Sequence, residues 1–263
     1  MIPQQCCTFT DMPPRLLFVF AHPDDESFSG AGTAMKYRDA GARIVLVAAT
    51  RGERGKTGDP PVCTPDELAA TREWELRGAA SIIGVDELHL LDYRDRELAD
   101  APVEQIRSTL VTLIRRVRPS VVITFDPNGF NIHPDHIAIS RFTSDAIAAA
   151  SDPRWFPDAG PGFAVSRLLW TPLFPPWDAA ADPALLDGPS ADFVIDVSAW
   201  SDRKAAALKA HRTQNISTDK YFFNRPDLER ILAYEVWRQA WGPPLVRRPG
   251  TDLLEGLPVA DED

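Results

Sequence analysis

The stretch that decides the fold is LLFVF at residues 16–20, which leads directly into AHPDDE at residues 21–26. A short continuous apolar run of this kind is typical of a strand that is covered on both faces of a sheet. A second polar cluster, HPDH at residues 133–136, follows another apolar run at residues 120–125. Three of the chain's five histidines lie in these two clusters. Because imidazole and carboxylate groups bind borderline divalent ions, the sequence predicts a metal site.

The composition excludes several classes of protein. The chain has 263 residues, of which 44% are hydrophobic and 25% charged, as expected for a globular protein with a substantial core. Its net charge of -10 repels phosphate backbones and anionic lipid headgroups, so we expect no nucleic acid and no membrane as partner. Cys6, Cys7 and Cys63 have no ligand spacing and indicate no disulfide framework. Without a basic leader or a long apolar run, the chain is expected to be cytoplasmic.

Segments typical of strands and helices alternate four times along the first 150 residues. Strands are predicted at residues 15–20, 42–49, 87–91 and 120–125, and helices at residues 31–40, 68–83, 103–117 and 137–150. The second of these helices has the clearest start, because Thr64 and Glu67 can form a capping box with Pro65 at the first helical position. The alternation predicts an α/β fold, a Rossmann-like parallel sheet flanked by helices in three α/β/α layers.

The expected order of the strands brings the two polar clusters together. In a doubly wound sheet of order 3-2-1-4, strands 1 and 4 are neighbours, and ligands bind outside their carboxyl ends. The clusters at residues 22–25 and 133–136 come directly after these two strands. We therefore expect them to face each other, although more than a hundred positions separate them.

The C-terminal half is less regular. Residues 151–192 are rich in proline and tryptophan, with a strand predicted only at residues 167–171, and this irregular excursion could pack on the core, cover a substrate or form a subunit interface. A further strand is predicted at residues 193–197, with helices near residues 201–211 and 226–240. We expect one domain over residues 15–240, a loose lead-in over residues 1–14 and a mobile tail over residues 243–263.

The residue types in the two clusters suit a metal-dependent hydrolase. A catalytic zinc ion takes three protein ligands from histidine, aspartate or glutamate and lowers the pKa of bound water to about 7. Two histidines and one carboxylate are available here, and other polar groups are left over. A spare carboxylate can accept a proton from the attacking water, and a spare imidazole can stabilise the oxyanion. These parts together predict an amide hydrolase.

Several motifs resemble those of the PIG-L or LmbE-like family of zinc-dependent N-deacetylases. The resemblance runs from about Leu16 to Gln214 and rests on AHPDDE at residues 21–26, TRGERG at residues 50–55, Arg72 with residues 75–76, YRD at residues 93–95, DPNGFNIHPDH at residues 126–136 and HRTQ at residues 211–214. It implies a metal ion held by His22, Asp25 and His136, and Asp24 as the general base.

The same resemblance assigns four further residues. His133 would be the electrophilic or acid partner, and Asp135 would hold it in its tautomer and orientation. Arg72 and Asp95 are similar in position to residues that bind sugar hydroxyls in family members acting on N-acetylglucosaminyl substrates, such as those of mycothiol and bacillithiol synthesis.

Structural roles remain open for some of these residues. Asp24 and Asp25 could cap the helix that follows them. Arg72 could be an exposed salt-bridge partner, and Asp95 lies in a charged turn. His211 is predicted at a helix C-terminus, where a histidine gains from the helix dipole.

Three other functions are consistent with parts of the sequence. Two histidines and one carboxylate also describe the facial triad of non-haem iron oxygenases, but the helix-rich pattern disfavours that fold. Gly30 and Gly32 follow the first strand as in a dinucleotide-binding fingerprint, whereas Met35 stands where that fingerprint has glycine. A sugar-binding module with a metal but without turnover is the third. The favoured hypothesis is a zinc-dependent deacetylase of an N-acetylglucosamine-type small molecule, with ferrous iron as an alternative metal and a homo-oligomer as an open option.

Overall fold

The computed structural model describes residues 13–172 and 191–258, in which a seven-stranded sheet is the central element. Its strands are β1 (Arg15–Phe20), β2 (Arg43–Thr50), β3 (Glu87–Tyr93), β4 (Val121–Thr124), β5 (Arg167–Trp170), β6 (Phe193–Asp196) and β7 (Tyr234–Trp241). Their order is β3-β2-β1-β4-β5-β7-β6. The first five strands in that order pair in parallel, whereas β7 is antiparallel to both of its neighbours. The expected α/β fold is confirmed, but the sheet is mixed and not wholly parallel.

Helices flank this sheet in two groups. They are α1 (Asp25–Ser29), α2 (Ala31–Asp39), α3 (Leu68–Ile83), α4 (Val103–Val117), α5 (Gly129–Ile132), α6 (Pro134–Ser151), α7 (Ser201–Ala210), α8 (Asn215–Thr218) and α9 (Leu228–Ala233). Helix α4 packs on α6, while α7 packs on both α2 and α3. Right-handed crossovers in opposite directions from β1 place the two groups on opposite faces of the sheet. No helix among the described residues has the length and apolar character that crossing a membrane needs.

Strand β1 lies at the centre of the core, as its sequence predicts. Leu16 to Phe20 are at most 2% exposed, because β2 and β4 pair on either side and helices cover both faces. Phe18 lies opposite Leu46 of β2 and Ile123 of β4. Burial of such apolar side chains is the main term that stabilises the sheet. The neighbours of β1 are β2 and β4, as expected. The strand order therefore changes direction between β1 and β4, at the predicted place.

The predicted capping box is present before α3. The backbone N–H of Thr64 donates to Oε2 of Glu67 at 3.0 Å, and a single turn of 3₁₀ helix at Pro65–Glu67 leads into the α-helix. The helix ends at Gly84, whose φ of 88° lies in the left-handed region that favours glycine. This helix matters for the site because it presents Arg72 from its buried face.

One predicted helix is wrong. Residues 226–240 form a short helix, α9, followed by the strand β7, which fills the gap between β5 and β6. Val236 and Trp237 are buried there, and the segment is rich in aromatic side chains that suit a pleated strand. Pairing on both edges provides hydrogen bonds that a surface helix would not have, so tertiary context overrides the local helical spacing.

The last described residues pack against the sheet, which differs from the mobile tail expected from residue 243. Leu253 is fully buried, and its carbonyl oxygen and that of Glu255 accept hydrogen bonds from Arg167 of β5. Gly250 forms a bridge with Phe193 of β6. Residues 259–263, the lead-in up to residue 12 and residues 173–190 of the proline-rich excursion lie outside the described residues.

Candidate metal centre and active site

A cavity of about 600 Å³ opens at the carboxyl ends of β1 and β4. Its lining includes residues from both polar clusters, from the loop after β2, from the turn after β3 and from the segment after α7. The expected convergence of the two clusters is therefore present. Of the predicted site residues, all but Asp135 line the cavity: His22, Asp24, Asp25, Arg72, Asp95, His133 and His136.

Three ligand groups meet at one point of the cavity. Nδ1 of His22 lies 3.2 Å from Nε2 of His136. The carboxylate of Asp25 is 3.5 Å from the first of these nitrogens and 3.3 Å from the second. The other oxygen contacts of Asp25 are with backbone N–H groups of residues 21 and 22, which hold its side chain in place. All three side chains are buried.

The hydrogen bonds of the two histidines determine which nitrogens carry protons. Nδ1 of His136 faces the carbonyl oxygen of Gly129 at 3.1 Å and must donate to it, because a carbonyl only accepts. Nε2 of His22 faces carboxylate oxygens of Asp135 at 3.1 Å and Asp95 at 3.2 Å. In the neutral rings, Nδ1 of His22 and Nε2 of His136 are therefore both unprotonated. Two lone pairs and a carboxylate then converge, which is an arrangement that needs a cation.

The spacing of these atoms suits a small divalent ion. In tetrahedral coordination with bonds of about 2.0–2.1 Å, neighbouring ligand atoms lie about 3.3–3.4 Å apart. The two nitrogens are 3.2 Å apart, and Asp25 approaches Nε2 of His136 with Oδ1 at 3.3 Å and Nδ1 of His22 with Oδ2 at 3.5 Å, which are separations close to that value. Each histidine also donates its second nitrogen to an acceptor, as metal-ligating histidines do. His22, Asp25 and His136 thus fit the metal that the sequence implies.

A second group of potential ligands lies on the far side of His22. The carboxylates of Asp95 and Asp135 come within reach of its Nε2. The oxygens of Asp135 already accept backbone N–H groups of Arg96 at 2.6 Å and Leu98 at 3.2 Å. Because these two donors and Nε2 of His22 take up most of its lone-pair sites, Asp135 suits a role as hydrogen-bond partner of His22 better than that of a metal ligand.

Asp135 contacts His133 through its main chain. Its backbone N–H, and not its carboxylate, donates to Nδ1 of His133 at 3.2 Å. This bond requires a lone pair on Nδ1 and so leaves the proton of the neutral ring on Nε2. His133 is only half-buried and shares the cavity, with a ring nitrogen within 4.8 Å of ligand atoms of His22 and His136. The neutral His133 ring therefore carries an N–H donor in the cavity that His22, Asp25 and His136 also line.

Asp24 lines the same cavity and has a strained conformation. Its φ of 115° and ψ of -30° belong to a region that non-glycine residues rarely adopt, at a cost of roughly 1–3 kcal/mol. The carboxylate is 3.3 Å from Nη2 of Arg72. The same guanidinium also donates to the carbonyl oxygens of Pro23 and Gly52. Arg72 is buried and holds the turn that carries Asp24, so it is not the exposed salt-bridge partner that remained open from the sequence.

The electrostatics of the cluster favour added positive charge. Burial alone would lower the pKa of His22, but its hydrogen bonds to Asp135, Asp25 and Asp95 raise that pKa well above its usual range. Burial would raise the pKa of Asp25, but His136 and His22 hold it well below its usual value. Burial lowers the pKa of His133, with His22 and His136 adding to the effect, so this ring favours the neutral form. A cation at the ligand atoms would take the place of the proton on His22.

Sequence reasoning assigned no role to Glu26 and considered His211 mainly as a residue at the end of a helix. Glu26, the last residue of AHPDDE, is buried and accepts the backbone N–H of Asp24 at 3.0 Å. His211 is fully buried with Nε2 2.7 Å from Oε1 of Glu26, so it faces inward and does not merely end a helix. The HRTQ motif singled out His211 in the sequence. It could not reveal the contact with Glu26, because the two residues are 185 positions apart.

Cationic and aromatic side chains both line the cavity. Arg54, Lys56 and Arg96 lie on one part of its lining, and their side chains are exposed. Phe28, Phe130 and Tyr221 line another part. A polar ligand with one apolar face, such as a sugar ring, matches such a combination of cationic and aromatic side chains.

The chain is similar over most of its length to proteins of known name. The sequence profile of the PIG-L family, described as GlcNAc-PI de-N-acetylase, matches residues 17–147. A 1D-myo-inositol 2-acetamido-2-deoxy-alpha-D-glucopyranoside deacetylase from Streptomyces scabiei is 32% identical over 294 residues, covering 93% of this chain and 90% of the relative. The protein of that name from Rhodococcus opacus is 34% identical over 238 residues, covering 76% of this chain and 81% of the relative.

Solved structures share the fold. The conserved protein TT1542 from Thermus thermophilus superposes with a TM-score of 0.66 at 27% identity, covering 88% of this chain and 96% of that one. N,N'-diacetylchitobiose deacetylase from Pyrococcus horikoshii has a TM-score of 0.64 at 22% identity, covering 86% and 83%, and this likeness concerns the fold alone. The resemblance read from the two polar clusters is thus confirmed, and the chain belongs to the PIG-L family.

Proposed function

We propose that this protein is a metal-dependent hydrolase that removes the N-acetyl group from an N-acetylglucosamine conjugate, giving a free amine and acetate. The observation that carries the proposal is the convergence of two imidazole lone pairs and the Asp25 carboxylate in a cavity that Asp24 and His133 also line. Family membership supports the same reaction, because relatives covering most of the chain are named for deacetylation of an N-acetylglucosaminyl inositol.

His22, Asp25 and His136 would hold the metal ion in this proposal. Zn²⁺ suits two imidazoles and one carboxylate, and Fe²⁺ is the alternative that this ligand set also accepts. When bound, the ion supplies a Lewis acid that polarises the amide carbonyl and makes water acidic enough to attack near neutral pH. Asp135 and Asp95 orient His22 by accepting from its Nε2.

Asp24 is the proposed general base. It is the cavity carboxylate next to the ligands that neither faces a ligand histidine nor caps a backbone group, and Arg72 steers it. A base must lie within hydrogen-bond reach of the proton that it removes, and the position of Asp24 directly before the proposed ligand Asp25, in the same cavity, supports this role. In the reaction it takes one proton from the attacking water, which then forms the new bond to the acetyl carbon.

His133 is the proposed oxyanion donor. Its Nε2 carries the proton in the neutral ring because Nδ1 accepts from the backbone of Asp135. Such a donor stabilises negative charge as it develops on the former carbonyl oxygen. When the C–N bond breaks, the departing amine receives the proton that Asp24 took from the water, directly or through His133, and both residues return to their starting state.

Arg72 and Asp95 are proposed to contact sugar hydroxyls at the inner part of the cavity. Both line it, and both have other partners: Arg72 holds Asp24, and Asp95 faces His22 and accepts the backbone N–H of Arg54 at 3.0 Å. Nε of Arg72 has no hydrogen-bond partner among the described residues. A sugar that binds these two side chains would therefore be aligned with the base and with a metal ligand at once.

The test is acetate release from a panel of N-acetylglucosaminides, including the inositol conjugate, N,N'-diacetylchitobiose and free N-acetylglucosamine. Protein reconstituted with Zn²⁺ or Fe²⁺ is compared with protein stripped by a chelator. We expect release only with metal, and the ranking across the panel identifies the aglycone. Metal binding with no release from any member would instead indicate the sugar-binding module without turnover.

A further inference from the structure

A chain of buried contacts leads from the main chain of Asp24 to helix α7, and the reaction proposed above makes no use of it. Oε2 of Glu26 accepts the backbone N–H of Asp24 at 3.0 Å. Oε1 of the same carboxylate lies 2.7 Å from Nε2 of His211 and accepts the hydroxyl of Ser27 at 2.5 Å. Glu26 is 4% exposed and His211 is fully buried, and neither side chain is part of the lining of the cavity.

The residue that this chain holds is the one in a strained conformation. At φ 115° the Cβ of Asp24 is turned away from the position that an ordinary turn would give it. Such a conformation persists only where the surroundings over-determine it. The backbone N–H of residue 24 is fixed by Glu26, its carbonyl oxygen by the N–H groups of Ser27 and Phe28, and its carboxylate by Arg72.

The side chain of His211 has one hydrogen-bond partner among the described residues, which is Glu26. Its Nδ1 is buried without a hydrogen-bond partner there, so the imidazole has its polar contact through Nε2 with Glu26 alone. The residue sits at the end of α7, a helix packed on α2 and α3, which gives the imidazole a rigid support. An imidazole in that place fixes the rotamer of Glu26, and Glu26 in turn fixes the turn at Asp24.

We propose that Glu26 and His211 are positioning residues that hold the Asp24 turn at positive φ and so aim the general base at the reaction centre. This inference rests on the proposed function, since it concerns the base of that reaction. It assigns no substrate or metal contact to either residue. Loss of the Glu26 contact lets the turn relax toward ordinary dihedral angles, which moves the Asp24 carboxylate while the three metal ligands keep their own contacts.

The chain contains a matched control. Glu235 is also a buried glutamate that joins a buried cation to backbone N–H groups: it lies 2.7 Å from Nζ of Lys204 and accepts from Gly32 and Thr33 at 2.9 and 2.7 Å. It lies on β7 and does not line the cavity. Glu26→Gln and Glu235→Gln therefore remove the same charge from similar surroundings, but only the first is linked to Asp24.

The experiment measures kcat, KM, metal content and melting temperature for both variants with a substrate that the wild type hydrolyses. We expect Glu26→Gln to lower kcat by about tenfold or more, with metal content unchanged and KM within about twofold, because small misplacements of a catalytic group are costly. Glu235→Gln should leave kcat within about twofold whatever its melting temperature. An unchanged kcat in Glu26→Gln, or loss of its metal, would overturn the proposal.

A double-mutant cycle separates positioning from a general structural effect. If Glu26 acts through Asp24, adding Glu26→Gln to Asp24→Ala should change the residual kcat by less than about twofold. A tenfold further loss would show that Glu26 acts on something else. If Glu26→Gln fails to fold, His211→Gln and His211→Leu provide the same test, because glutamine can still donate a hydrogen bond to Glu26 and leucine cannot. Equal kcat values for these two His211 variants would count against the proposal. A wild type without metal-dependent acetate release would refute the proposed function itself, which is a separate outcome.

Discussion

The carboxylate of Asp135 lies 3.1 Å from Nε2 of His22, although the two residues are 113 positions apart. This contact puts the proton of the neutral His22 ring on Nε2 and leaves Nδ1 free to bind a metal ion. The family resemblance implied that Asp135 would hold His133 in its tautomer and orientation, without a contact to His22. One residue thus serves both histidines, through its side chain for His22 and through its backbone N–H for His133.

Replacing Asp135 should weaken metal binding. In Asp135→Asn the negative partner of His22 is lost, and we expect the metal affinity to fall by about 10- to 100-fold, as is usual for such outer partners of a metal site. Competition with a chelator of known affinity measures the change. Asp145→Asn is the control, because Asp145 lies on the same helix in a partly exposed pair with Arg107. Equal affinities for Asp135→Asn and the wild type would show that this contact does not tune the site.

Replacing Asp24 should separate metal binding from catalysis. We expect Asp24→Ala to retain stoichiometric metal, because its carboxylate is not among the converging ligand atoms, and to lose about 10² or more of kcat with the general base. Elemental analysis and acetate release on the same preparation provide both quantities. Loss of the metal from this variant would mean that Asp24 is a ligand and that its role has been exchanged with that of Asp25.

His133→Ala tests the proposed role of His133 as oxyanion donor. Removing the Nε2 donor should lower kcat by about 10² or more, with metal content unchanged, because one donor to a developing oxyanion has roughly that worth. His133→Gln, which keeps an N–H donor near the same place, should recover part of the loss. If kcat is the same in His133→Ala and the wild type, His133 has no part in the chemistry.

The pH dependence of the reaction should reflect Asp24. Burial, with the nearby Asp25 carboxylate, raises the pKa of Asp24 to about 6, although Arg72 and two histidines lower it. The base works only when deprotonated, so kcat/KM should fall as the pH drops through this range, and the positive charge of a bound metal moves the limb to lower pH.

Substitution of Arg72 tests whether Asp24 causes the fall of kcat/KM at low pH, the acidic limb of the pH profile. Arg72→Met removes a cation that lowers the pKa of Asp24, so the acidic limb should move to higher pH. Arg72→Lys keeps the charge and should leave the limb closer to that of the wild type. Full pH profiles of kcat/KM for the three proteins provide the comparison. A limb at the same pH in all of them would assign it to another group.

The sequence predicted strands and helices correctly where the pattern depends on residues a few positions apart. LLFVF at residues 16–20 had to form a central strand, and the Thr64 capping box had to begin a helix, because both patterns depend on neighbours a few positions apart. The order of the first four strands followed from the handedness of their crossovers. Residues 234–241 are the counterexample, since their strand depends on two partners that only the folded sheet provides.

The sequence by itself determined the family, the α/β fold and the place where the polar clusters would meet. Only the tertiary structure decided which nitrogen of each histidine is free, why Asp24 has a positive φ, and that Glu26 and His211 lie behind it. The physical reason is that a motif specifies the chemical groups within a few positions of each other. The proton position on His22 and the support behind Glu26 depend on Asp135 and His211, which are more than a hundred positions away and come into contact only when the sheet has formed.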